Sequence, residues 1–146
     1  MKHDLFLRAV GQSVGRLVGQ SPSRKDEDYL IMTIRKANTI LYCRRWNAQV
    51  KFYEDVLRLP VLTRKDWFVE FRLGPDSALS VADEGRTTVR SAGGAGITIS
   101  IRVDEVERVR QEVIERGAQP EPLRTVWGSR AFFLRDPEGN RLEFWS

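Results

Sequence analysis

Histidine and cysteine are all but missing from this chain of 146 residues, which holds one of each, His3 and Cys43. A single cysteine excludes an intrachain disulfide framework and fits a reducing compartment. A single histidine, placed in the leading segment, excludes a histidine cage for a metal and a nucleophile–histidine pair in the rest of the chain. Long apolar runs are also lacking: none approaches the roughly 20 residues that cross a bilayer, so no membrane span is expected. The opening residues, Met1 to Arg8, have too short an apolar core for a secretory signal. These absences predict a cytoplasmic protein.

What is present is ordinary for a folded domain: 41% hydrophobic and 30% charged residues in a chain long enough to bury a sizeable core. The formal charge is +4, but it is unevenly spread. Residues 1–37 hold seven Lys/Arg against four Asp/Glu, whereas residues 38–146 hold seventeen against sixteen. The basic balance therefore belongs mostly to the leading segment. No nucleic-acid motif accompanies it, and no nucleic-acid partner is expected. Residues 4–19 show apolar positions at helical spacing, with Gly11, Gly15 and Gly19 on one face, and residues 20–28 form a polar linker. Residues 1–31 thus read as an N-terminal extension and 32–146 as the domain proper, with Met32 the first residue of a compact unit.

From Asn38 onward the pattern reads as two successive β-α-β-β-β units, about 38–92 and 97–146, an α+β arrangement. In the first unit, strand 38–44 leads to a helix over 46–57 and strands near 60–65, 67–73 and 77–83. In the second, strand 97–103 precedes a helix over 104–116 and strands near 119–126, 130–135 and 140–145. Gly93-Gly94-Ala95-Gly96 lies between the units and reads as a flexible joint. It precedes a strand, whereas a phosphate-cradling loop joins a strand to a helix, so that use is excluded.

Periodicity assigns faces. Val106, Val109, Val113 and Ile114 make an apolar stripe on the second helix, with Asp104 as a candidate N-cap and Gly117 at the left-handed C-terminal position. Val50, Tyr53, Val56 and Leu57 do the same on the first helix. Helices on one side of a sheet require one apolar strand face. Ile97, Ile99, Ile101 and Val103 supply it in one strand, leaving Thr98, Ser100 and Arg102 opposite. Thr39, Leu41 and Cys43 supply it in another, leaving Asn38, Ile40, Tyr42 and Arg44. The last strand turns Leu142 and Phe144 inward and Arg141, Glu143 and Trp145 away. Cys43 accordingly reads as a small core residue rather than a thiolate ligand.

These units, in this order, together with the closing stretch Asp136-Pro-Glu-Gly-Asn-Arg-Leu-Glu143-Phe, resemble the vicinal oxygen chelate superfamily. That superfamily includes glyoxalase I, extradiol dioxygenases, and the fosfomycin and bleomycin resistance proteins. The resemblance covers residues 38–146. It implies eight strands curved into a cup, with helices on the outer face and a metal on the concave one. It also implies a homodimer in which strands from two units complete each cup. By strand register, the family's ligand positions fall on Asn38, Ser80, Thr98 and Glu143. Only Glu143 is a competent ligand of the usual type.

Catalytic divalent sites commonly use three or more imidazole, carboxylate or thiolate groups. An amide and two hydroxyls beside one carboxylate make a degenerate set, so no metal and no cofactor are expected. The leading expectation is a metal-free protein of the bleomycin-resistance/glyoxalase-like branch that binds a small molecule in the cup. Asn38, Tyr42, Arg44, Ser80, Thr98, Arg102, Arg141, Glu143 and Trp145 are its candidate contacts. Arginine forks and aromatic walls suit an anionic or aromatic organic ligand, and cationic bleomycin fits them poorly. The alternative is an enzyme: a metal-dependent lyase, isomerase or dioxygenase with an atypical site, or a metal-independent isomerase with Glu143 as general base. The plainer role for Glu143 is an ion pair with Arg44, Arg102 or Arg141.

Overall fold

A computed structural model describes residues 32–146. The N-terminal extension 1–31, including the helical stretch 4–19 and the linker 20–28, lies outside the described residues. In the first module, strand β1 (Ala37–Cys43) is followed by helix α1 (Trp46–Lys51), which continues as a π-helical turn (Phe52–Val56). Strands β2 (Val61–Arg64), β3 (Phe68–Gly74) and β4 (Ser77–Asp83) complete the module. The second module repeats the order: β5 (Thr98–Arg102), α2 (Val106–Glu115), β6 (Arg124–Val126), β7 (Ser129–Arg135) and β8 (Arg141–Trp145). Each module forms its own four-stranded mixed sheet, ordered β1-β4-β3-β2 and β5-β8-β7-β6. In each, the first strand runs parallel to the last, and the remaining pairs are antiparallel. This is the α+β, two-module architecture of a cup.

The alternation read from the sequence decides which face is buried. Leu41, Cys43, Val69, Phe71, Leu79 and Val81 cover the inner face of the first sheet. Phe132, Leu134, Leu142 and Phe144 cover the inner face of the second, with Phe132 and Phe144 stacked 5.0 Å apart. Val50, Phe52 and Tyr53 from the first helical segment, and Val106 and Val113 from α2, join the same continuous core. Each large apolar side chain fully buried there contributes about 1.5–3 kcal/mol.

Four local expectations are corrected. The first helix is not α-helical throughout 46–57: Leu57 N–H donates to Phe52 O, the wider π spacing, which brings both Phe52 and Tyr53 into the core. Asp104 does not cap α2; the N-cap is Glu105, without a side-chain cap bond. Arg44 is not on the open face of β1, because the strand ends at Cys43 and the next backbone N–H donates to Glu138 of the second module. The glycine run is not a free joint either. Ser91 Oγ donates to Glu138, Gly93 N–H donates to Ser91 Oγ, and a side chain at Gly94 would run into the Gly139 carbonyl. Glycine is required at residue 94 for close backbone approach, not for flexibility.

The turn that this linker presses against carries the main contact between modules. Asp136 is buried, and a buried carboxylate must be saturated with donors. Its oxygens accept from Tyr53 Oη at 2.7 Å, Asn140 Nδ2 and Asn140 N–H at 2.8 Å each, and Glu138 N–H at 3.1 Å. Gln49 Nε2, one helical turn before Tyr53, donates to the same oxygen. Burial and the neighbouring carboxylate push the Tyr53 hydroxyl well above its ordinary pKa, so it remains a donor. Removing the acceptor with Asp136→Ala should cost about 3–5 kcal/mol of unfolding free energy, since several buried donors are orphaned at about 1–3 kcal/mol each. Tyr53→Phe should cost about 1–2 kcal/mol. Urea denaturation of the two variants checks both.

Glu138 makes the adjoining surface contact, accepting from the N–H groups of Arg44 at 3.1 Å and Arg45 at 3.3 Å and from Ser91 Oγ at 2.6 Å. Burial alone pushes this carboxyl up, but the Ser91 hydroxyl, the two N–H groups and the Arg44 guanidinium outweigh it and hold the pKa below its ordinary value. A depressed carboxyl contributes stability that is present above its unfolded pKa and lost as pH falls through the folded one. Acid titration of stability should therefore show a component near and below pH ~4 that Glu138→Gln removes.

Candidate functional site

Each sheet turns one face to the core and leaves the other open. Register pairs define the open faces in rows, because Cα partners point the same way. On the first sheet the rows are Asn38–Ala78–Arg72, Ile40–Ser80–Glu70 and Tyr42–Ala82–Phe68. On the second they are Thr98–Arg141–Arg135, Ser100–Glu143–Phe133 and Arg102–Trp145–Ala131. The modules therefore repeat in detail: Asn38 and Thr98 occupy equivalent rows, as do Ser80 and Glu143.

Three of the four candidate ligand positions are bonded to neighbours within their own sheet. Ser80, with 0% exposure, donates from Oγ to Asn38 Oδ1 at 3.0 Å. Ser100 Oγ donates to Glu143 Oε2 at 2.7 Å, while Thr98 stands one row away beside Arg141. Among the described residues, no three His, Cys, Asp or Glu side chains converge.

The ion pair considered for Glu143 is not formed. Arg141 sits over the Phe133 ring, 4.0 Å from its centroid, and Arg102 sits over Trp145 at 5.2 Å. Arg44 lies at the module junction, where its Nε is 3.8 Å from Glu84, so it does not join the open-face group. Tyr42, Arg102, Arg141 and Trp145 do lie on the open faces to which alternation assigned them. The first sheet satisfies its own acid, for Glu70 is bonded to Lys36. Trp127 stands at the tip of the β6–β7 hairpin, 58% exposed, with a positive φ of 53° that bulky residues rarely adopt.

Two members of this surface were not singled out from sequence. Ser100 was assigned to the correct face, yet only the register shows it opposite Glu143. Phe133 lies in Ala131–Leu134, a run buried at every position, so no alternation marks it as the platform beneath Arg141 and Arg124. Cys43 is confined to the core face, where its Sγ donates to Ala82 O at 3.2 Å. Burial pushes its thiol up to about 12, helped by the Glu138 charge. A thiolate at pH 8 is then roughly a thousandfold scarcer than for an unperturbed thiol. Native protein should label with a maleimide at least about a thousandfold slower than urea-unfolded protein, measured by thiol alkylation kinetics.

Paired βαβββ modules with helices behind and polar rows in front define a recognisable class of cup-shaped proteins. The sequence profile of the Glyoxalase/Bleomycin resistance protein/Dioxygenase superfamily matches residues 36–144, and the chain belongs to that family. Solved structures share the fold. A lactoylglutathione lyase from Agrobacterium tumefaciens superposes with a TM-score of 0.61 at 22% identity, covering 74% of this chain and 90% of that one. TioX from Micromonospora sp. ML1 gives 0.63 at 21% identity, with 75% and 96% covered. A glyoxalase/bleomycin resistance protein/dioxygenase from Nocardioides gives 0.64 at 18% identity, with 99% and 92% covered. No curated protein matches the chain in sequence. At these identities the likeness concerns the fold alone. Among the described residues no helix is long and apolar enough to cross a membrane.

Proposed function

We propose that this protein binds a small organic molecule, anionic or aromatic in character, on the concave face of its sheets, and does so without a metal. One observation carries the reading: of the four positions matching the family's ligands, Asn38, Ser80 and Glu143 hydrogen-bond to protein neighbours and Thr98 stands a row away from Glu143, so no converging donor set is offered. Ser80 occupies the Asn38 amide oxygen, and Ser100 occupies one oxygen of Glu143. One carboxylate with neutral oxygens does not fit zinc, iron or nickel, which take imidazole, thiolate or several carboxylates. Magnesium, which keeps most of its waters, would gain only one charge here. The chemistry that a polarising metal supplies therefore has no support in this donor set, and sequestration of a ligand is the better account.

The aromatic and guanidinium groups on the second sheet favour binding in a different way. Phe133, Trp145, Arg102 and Arg141 form a surface of rings carrying directed N–H donors, the composition of small-molecule sites. The likeness to a lactoylglutathione lyase makes a metal-dependent lyase or isomerase built on Glu143 the competing reading. A homodimer in the cytoplasm, with each cup completed by paired units, is part of the same proposal.

Elemental analysis of dialysed protein separates the two. The expected result is no transition metal near one equivalent, and a melting temperature that Zn2+, Mn2+ or Ni2+ moves by less than about 1 °C, since a ligand bound only weakly stabilises little. A metal retained at one equivalent through dialysis, and lost in Glu143→Gln, would overturn metal-free binding in favour of the enzyme.

A further inference from the structure

The open face of the second sheet carries charges that the described protein does not neutralise. Register sets Arg141 beside Thr98, Glu143 beside Ser100, and Trp145 beside Arg102. Positive, negative and positive groups thus occupy successive rows, about 7 Å apart at two residues per row. Among the described residues, neither Arg102 nor Arg141 has an acidic partner within salt-bridge distance. Their neighbours on the face are engaged: Arg124 pairs with Glu121, and Arg135 donates to Gly139 O at 2.8 Å.

Arg102 and Arg141 are nevertheless held in place. Each guanidinium sits over a ring, Trp145 for the first and Phe133 for the second. Contact with a ring restricts the rotamers without using the N–H donors, which prepares an arginine for a carboxylate. Glu143 is held by Ser100 through one oxygen, and no described group donates to the other.

Resting on the metal-free binding reading above, we infer that the ligand is a small carboxylic acid with a hydroxyl or ammonium donor next to its carboxylate and an apolar body. One guanidinium takes the carboxylate, Glu143 accepts from the donor, and the half-buried ring of Trp145 supports the body. Charge arithmetic selects this class. A carboxylate about 4 Å from a guanidinium and about 7 Å from Glu143 is attracted nearly twice as strongly as it is repelled, at any one dielectric. A donor at Glu143 converts the remaining repulsion into a hydrogen bond, one that a simple acid cannot make. A dianion gains no such relief, and a neutral arene leaves both arginines unused.

Calorimetry on the full chain in EDTA tests the inference with four probes: phenyllactate, phenylalanine, 3-phenylpropanoate and phenyllactamide. Phenyllactate or phenylalanine should bind at least about 10-fold more tightly than 3-phenylpropanoate, which lacks the donor, and than phenyllactamide, which lacks the carboxylate. Whichever of the two binds more tightly identifies the donor as hydroxyl or ammonium, and either supports the class. Arg102→Gln or Arg141→Gln should weaken the acids about 10-fold and leave the amide unchanged. Glu143→Gln should weaken the donor-bearing acid yet tighten 3-phenylpropanoate, whereas damage to the face would weaken both. Equal affinity for phenyllactate and phenyllactamide, or no binding of any probe, would overturn the carboxylate-plus-donor class. Binding that needs added Zn2+ or Mn2+ would overturn the metal-free reading beneath it instead.

Discussion

Burying the carboxylate of Asp136 commits this fold to supplying donors from several directions, and the demand ties the modules together. Tyr53 and Gln49 come from the first helical segment, while Asn140 and the Glu138 N–H come from the turn between β7 and β8. Satisfying one anion therefore docks the first module's helix on the second module's turn. An unmet carboxylate in that place would cost several kcal/mol, so the arrangement is close to all-or-none. The turn also sets where β8 begins, and through the β5–β8 register it sets where Arg141, Glu143 and Trp145 emerge on the open face. The candidate site is thus positioned by a polar interaction in the turn that leads into its last strand.

The glycines around this turn belong to the same constraint. Gly139 faces the Gly93 carbonyl at 2.8 Å from where its side chain would begin, and Gly94 approaches Gly139 more closely still, so a side chain at either would intrude. Glu138 then closes the outer edge through the Arg44 and Arg45 N–H groups. The linker, the turn and the end of β1 form one unit, which is why Arg44 points to Glu84 rather than to the open face.

The fold was largely legible in the sequence because a period of two survives wherever one strand face is apolar and the other polar. Strands 98–102 and 141–145 obey it throughout and strand 37–43 in its second half, where Leu41 and Cys43 are buried and Tyr42 is not. Legibility ended where tertiary contact decides. Alternation carried one residue too far put Arg44 on the wrong surface. Composition marked Gly93–Gly96 as permissive, but close approach and free rotation require the same residue. Nothing in the helical pattern distinguished Gln49, a polar residue at a fully buried position, because its partner lies 87 residues away. The π turn is equally silent, since it arises from seating both Phe52 and Tyr53 in the core. Of the site, the poverty in metal-binding side chains was readable directly; the pairing of Ser80 with Asn38 and of Ser100 with Glu143 needed the register.

The stretch from Asp136 to Glu143 therefore combines two separable roles. Its first five residues bind the modules together, and any chain that keeps this fold can need them whatever it does with the open face. Glu143 lies beyond the turn, and its surroundings rather than the turn decide its chemistry. Those surroundings differ between equivalent positions of the two modules. Ser80 is neutral and buried, and the first sheet's acid Glu70 is bonded to Lys36. Glu143 is charged and half-buried between arginines engaged with rings rather than with acids. A symmetric fold thus carries an asymmetric pair of surfaces, one with Ile40, Tyr42 and Phe68 beside Arg72, and one with Glu143 set between two arginines that sit over rings.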